Sequence, residues 1–155
     1  MDIGEIRQRD TAFTDGEWVG DLPGCGDMRV KVRAFQSPQV VSTWGRLSRA
    51  APNDERQADG QLTEDAHARI DREVLLDVVL LDWDGLTDNG EPVPYSRDMA
   101  RQFIQVGLFE AAVRYAAARV SHDINGRRDD LAGNSEPPSG GGSGRAKRRK
   151  KGAGT

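Results

Sequence analysis

The sequence predicts an α+β fold that is mainly α: an N-terminal β-hairpin packed on about four helices, followed by a disordered, Gly/Ser-rich, basic C-terminal tail. Three observations carry that expectation. Apolar residues alternate with charged ones through Met28–Phe35, they recur at helical spacing in several stretches after Ser37, and they nearly vanish after Asp123. The chain has 155 residues and is 36% apolar, but only Ile124, Leu131, Ala132, Ala146 and Ala153 of its apolar residues lie beyond position 123. Residues 1–123 are therefore about 41% apolar, enough for a modest core, and 124–155 are not. The expected organisation is a flexible N-terminal arm (1–15), a single globular domain (16–123), and a linker with a basic tail (124–155).

Taken in order, residues 1–15 are polar with scattered apolar positions and read as an arm with weak structure. Glu17–Leu22 is short and aromatic. In the next stretch Met28, Val30, Val32 and Ala34 point one way while Arg29, Lys31 and Arg33 point the other, the period of a half-buried strand. Gly24 and Gly26 between them supply positive φ for the reversal of a hairpin. Such a hairpin is marginal alone and must rest on helices or on another subunit. Ser37-Pro38 then starts a helix, Ser as N-cap and Pro at the first helical position, with Val40, Val41, Trp44 and Leu47 as its apolar stripe. Pro52, Asn53 and Gly60 mark a loop. Thr63 caps the next helix, Glu64 and Asp65 favour its N-terminal dipole, and Ile70, Val74, Val78 and Leu81 form its inward stripe. Leu75, Leu76, Val79 and Leu80 make the end of that helix apolar nearly all round, which predicts burial on more than one side and suggests a partner covering part of it. Asn89-Gly90, Pro92 and Pro94 force turns. Ser96 caps a short helix bearing Met99, Phe103 and Ile104, and Gly107 breaks it. A last helix carries Phe109, Ala112, Val113, Ala116 and Val120 on one face and the i,i+4 pair Glu110–Arg114 on the other.

Charge divides the chain where hydropathy does. The net charge is −3, yet 124–155 carry +5 and the body −8. An acidic body is a poor nucleic-acid surface, because phosphate contacts need clustered Lys and Arg. The run Arg145, Lys147, Arg148, Arg149, Lys150 and Lys151 is the one place that could hold nucleic acid or an acidic partner, and it lacks the interleaved aromatics that stack single-stranded bases. No apolar stretch is long enough to span a bilayer, so no membrane contact is expected, and MDIGEIRQRD has no signal-peptide core. One cysteine, Cys25, allows no intrachain disulfide and fits a reducing compartment.

The residues that carry chemistry are sparse. His67 reads as a solvated side chain, His122 as a partner of a helix C-terminal dipole, and neither has a second His or a Cys at ligand spacing, so no metal is expected. Cys25 sits in a Gly-rich turn with no evident base. The stretch Asp82–Glu91 fails the calcium-loop pattern, since Leu86 and Thr87 fall where ligand and glycine are required. There is no phosphate loop and no nucleophile elbow. The expectation is a protein that is not an enzyme and has no cofactor.

Four segments taken together, the hairpin EWVGDLPGCGDMRVKVRAFQSPQVV, an acidic loop, the helix ending LLDVVLLDWDGL, and TDNGEPVPYSRDMARQFI, resemble the small tail assembly chaperones of non-contractile tailed bacteriophages. In those proteins an Asp-Trp-x-Gly corner is followed by Gly-x-Pro-Val-Pro-Tyr/Phe-Ser, here Asp82–Gly85 and Gly90–Ser96, and the likeness spans about residues 16–121. The resemblance implies a non-enzymatic role in the host cytoplasm: coating the long tape measure protein, helping to recruit tail tube subunits, and leaving before the virion is mature. It also implies that short and frameshifted long products exist in many relatives. The apolar surface expected to hold such a partner, or a second copy, is Leu76, Val79, Leu80, Trp83, Leu108, Phe109 and Tyr115, with Trp83 also readable as a core corner against Tyr95. The competing expectation is a small head or tail accessory protein, or adaptor, that binds nucleic acid through Arg145–Lys151.

Overall fold

The computed structural model of the chain describes residues 2–133. Its elements are α1 (Ile3–Asp15), β1 (Glu17–Val19), β2 (Arg29–Val32), α2 (Pro38–Ala50), α3 (Glu64–Val74), β3 (Leu80–Asp84), β4 (Thr87–Asp88), β5 (Glu91–Pro92), α4 (Arg97–Phe103) and α5 (Gly107–Gly133). The fold class is as the sequence predicts, mainly α with small sheets. One antiparallel sheet has the order β1-β2-β3, and β4 and β5 form a separate two-stranded ribbon.

The hairpin follows from its alternation: Met28, Val30, Val32 and Ala34 are buried, while Arg29 is exposed and Lys31 and Arg33 are half-buried. β2 is the central strand. Val30 pairs with Val19 on one side and Trp83 on the other, and a bulge after Lys31 leaves Leu81 unmatched so that Val32 meets Leu80. The buried face of this sheet packs on α5, and α2 and α3 pack on each other beside it. The core runs through Val30, Val32, Ile70, Leu75, Val79, Leu80, Ile104, Val113 and Val120.

Four expectations are corrected. First, the helix opened by Thr63 stops early. It is α-helical to Val74, widens into a π-turn over Leu75–Val79, and continues as strand β3. A short run of buried apolar residues has the same look in a strand as in a helix, because neither presents a solvent face. The all-round apolarity of this stretch therefore reflects burial in the protein's own core and not a partner. Second, residues 3–15 form helix α1 where an arm with little structure was expected. α1 is fastened at its C-terminal end, where Thr14 carbonyl accepts from Arg33 Nε at 2.6 Å and from Gln39 Nε2 at 3.4 Å. Third, α5 runs on to Gly133, past the expected boundary at residue 123, and Ile124 is buried. His122 thus lies inside a helix and not at its end. Fourth, Ser37 stands at the N-cap of α2, but its buried Oγ makes no capping hydrogen bond.

The other caps form as expected: Thr63 Oγ1 accepts from Ala66 N at 3.3 Å and Ser96 Oγ from Met99 N at 3.1 Å. Asn89 and Gly90 both take positive φ, the two-residue turn that suits the twist of a ribbon. At Gly85, with φ +77°, a Cβ would stand 2.7 Å from the Asp27 carbonyl oxygen, so only glycine fits where the end of β3 passes the first hairpin's turn. No helix among the described residues is long and apolar enough to cross a membrane.

Candidate functional site

The end of β3 delivers Trp83 into a cluster of rings. Its indole is buried, Nε1 donates to the Val93 carbonyl at 2.7 Å, and its ring centroid lies 5.0 Å from Tyr95, 5.6 Å from Phe103 and 5.7 Å from Phe109. The Asp-Trp-x-Gly corner, the Pro-rich return and the N-terminus of α5 are thereby locked together. Burial pushes the Tyr95 phenol above its usual range.

Beside this cluster opens a cleft of about 460 Å³ lined by Gly24, Cys25, Met28, Leu86, Thr87, Asp88, Phe103, Val106, Leu108 and Phe109. The turn of the first hairpin, the β4–β5 ribbon and the start of α5 form its walls. Val106 and Leu108 stand at its mouth, 54% and 56% exposed. Asp88 is the one charged residue in this lining, and the segments that form the walls hold more acid than base. Segments 20–29 and 84–93 hold Asp21, Asp27, Asp84, Asp88 and Glu91 against the single cation Arg29, and 103–109 hold no charge. Arg29 is itself engaged: it donates to Asp84 at 2.6 Å and stacks over Trp18 at 5.2 Å. The hydrogen bond and charge of Arg29 hold the Asp84 carboxyl below the usual carboxylate range.

From the cleft, an exposed stripe runs up α5. Leu108, Ala111, Tyr115 and Ala118 are all exposed and recur at three- and four-residue spacing, so they share one face, opposite the buried Ala112, Val113, Ala116 and Ala117. A second, smaller cleft of about 300 Å³ lies between α2, α3 and α5, lined by Phe35, Val40, Val41, Trp44, Asp71, Val74, Leu75 and Arg114. Its polar wall is already satisfied: Asp71 accepts from Trp44 Nε1 at 3.0 Å and meets His67 Nδ1 at 3.1 Å, and Arg114 pairs with Glu110 at 2.8 Å.

The expected partner surface is therefore divided. Leu76, Val79, Leu80, Trp83 and Phe109 are core side chains, and of these Phe109 alone also borders the cleft. Leu108 and Tyr115 are exposed, one helical face apart by two turns, and belong to the stripe. The basic residues Arg145, Lys147, Arg148, Arg149, Lys150 and Lys151 lie outside the described residues. Sequence reasoning missed Val106, Ala111 and Ala118. For Ala111 and Ala118 the signal was the seven-residue spacing from Leu108 to Tyr115 opposite an apolar face already filled. Among the described residues, no group of three His, Cys, Asp or Glu is placed to hold a metal ion.

What this surface offers is an apolar cleft and helix face with an acidic rim, the features of a contact surface. A family model described as YdaY prophage protein matches residues 35–134, nearly two-thirds of the 155-residue chain. The protein belongs to that family and is phage-derived. The match takes in α2 to the end of α5, including the Trp83 corner, the ribbon and the α5 stripe, and leaves α1 and the first hairpin outside. No curated protein and no solved structure matches the chain.

Proposed function

We propose that this prophage protein is a non-enzymatic tail assembly chaperone that binds the tape measure protein in the bacterial host cytoplasm, helps recruit tail tube subunits, and departs before the virion is complete. The supporting observation is the uncovered apolar stripe of Leu108, Ala111, Tyr115 and Ala118, with Val106 exposed just before it, on a phage-derived chain whose other described large apolar side chains on α5 are buried. An exposed helix face of this kind suits an amphipathic client helix, which buries its own apolar side against it. Small residues between two large ones let a second helix approach closely and give it two anchors.

Co-expression with the long reading frame encoded downstream, followed by pull-down at low and high salt, tests the proposal. The expected result is co-purification that survives high salt and keeps a helix-rich partner soluble. Phosphate binding through Arg145–Lys151 would behave otherwise, falling by ~10³-fold or more over the same range. Nucleic acid that trails the protein only at low salt, with no protein partner, overturns the proposal in favour of the accessory role.

A further inference from the structure

The cleft and the stripe are one continuous surface with a charge at one end. Leu108 belongs to both: it lines the cleft, and its Cδ1 stands 3.6 Å from where a Cβ on Gly24 would be. Three acidic residues gather at that end. Asp88 lines the cleft, Glu91 faces Asp88 across the β4–β5 ladder, and Asp27 precedes the cleft-lining Met28. Toward the other end of the stripe Arg119 donates to the Gly20 carbonyl at 3.4 Å, and Arg114 is paired with Glu110. The surface thus has a direction.

We infer that this surface takes an amphipathic helix whose apolar side rests along Leu108, Ala111 and Tyr115, and whose lysine- or arginine-bearing end lies over Asp27, Asp88 and Glu91. Charge complementarity selects that occupant. An acid-ended helix would set like charges against an exposed rim, and a helix without an apolar side would leave Leu108 and Val106 in water. This chain's own basic run is a poor occupant. Gly133 lies about 40 Å from Gly107 along α5. Residues 134–144 cover about the same distance only when fully extended. The run Arg145–Lys151 also has Ala146 as its sole apolar residue. The inference deepens the chaperone reading by naming the chemistry of the client segment, and it rests on that reading for its biological meaning alone.

Fluorescence anisotropy of two labelled helical peptides on the full chain decides it. Both carry leucines along one face; one ends in a lysine cluster and the other in a glutamate cluster. The lysine-ended peptide should bind about tenfold more tightly at low salt, and the preference should shrink in high salt. The double variant Asp88→Lys with Glu91→Lys should abolish or invert the preference. Leu108→Ser with Tyr115→Ser should weaken both peptides by about tenfold or more, with an unchanged circular dichroism spectrum. Equal binding of both peptides, or no effect of the Leu108/Tyr115 variant, overturns the inference. So does sedimentation showing a dimer that the same variant dissociates, because a second copy then covers the stripe. If the peptides behave as expected but the tape measure protein does not co-purify, the surface stands and the chaperone reading falls. If co-purification persists in the Leu108/Tyr115 variant, the reverse holds.

Discussion

Trp83 joins three parts of the molecule that are distant in sequence. Its backbone belongs to β3 opposite Val30, its Nε1 holds the Val93 carbonyl, and its ring meets Tyr95 at the entry to α4 and Phe109 at the start of α5. Replacement by alanine removes the largest ring from a buried cluster and leaves the Val93 carbonyl without its donor. Trp83→Ala should cost ~3–5 kcal/mol, enough to unfold many domains of this size. Trp83→Phe keeps most of the ring contacts and loses the hydrogen bond, so its cost should be nearer ~1–2 kcal/mol. Urea unfolding followed by far-UV circular dichroism measures both. Equal losses in the two variants would mean that the hydrogen bond, and not the packing, holds the corner. The residue was legible in the sequence as a corner against Tyr95. Its burial in that corner is as expected; what was not legible is that the stretch before it is a strand, which carries the indole inward.

Elements were legible where a solvent face kept their period visible. β2 alternates because one side of the sheet is covered and the other bears Arg29, Lys31 and Arg33. α5 shows its filled face because Glu110, Arg114 and Arg119 mark the other. β3 had no such marker over Val79–Leu81, and only Asp82 and Asp84 hint at its alternation. α1 is the opposite case, a helix with almost nothing buried. Ile3 and Ile6 are 60% and 41% exposed, and its ties sit at the C-terminal end, where Phe13 packs against the core and the Thr14 carbonyl accepts from Arg33 and Gln39. A helix of this length is marginal in water without packing. Removing residues 1–10 should therefore leave Arg33 still bonded to the Thr14 carbonyl and lower the unfolding midpoint by no more than ~2–4 °C. Amide exchange in α1 should be fast beside that of β2 and α5, and a calorimetric scan of the shortened chain checks the midpoint. A drop well beyond that range would show that α1 supports the body more than its contacts imply.

At the scale of the whole molecule, charge is arranged more sharply than composition suggests. Beyond Gly133 the six basic residues outweigh Glu136 by five, so residues 1–133 carry −8 of a chain whose net charge is −3. The acidic rim of the cleft was not legible beforehand, since Asp27 and Asp88 lie far apart in sequence and only the β2–β3 pairing and the turn at Gly85 bring their segments together. The cut that separates the two charge regions belongs after Gly133, because a cut at residue 123 would remove buried Ile124 and shorten α5. A chain ending at Gly133 should unfold within ~2 °C of the full chain, since it keeps every residue that is buried among those described. It should also hold the lysine-ended peptide and the co-expressed partner as well as the full chain does, because every residue of the cleft and the stripe lies before Gly133. Nucleic acid bound at low salt should be lost with the cut. Side-by-side pull-downs of the two chains at two salt concentrations read all three effects. Loss of the protein partner on truncation would place its binding site in Arg145–Lys151 and remove α5 from the function.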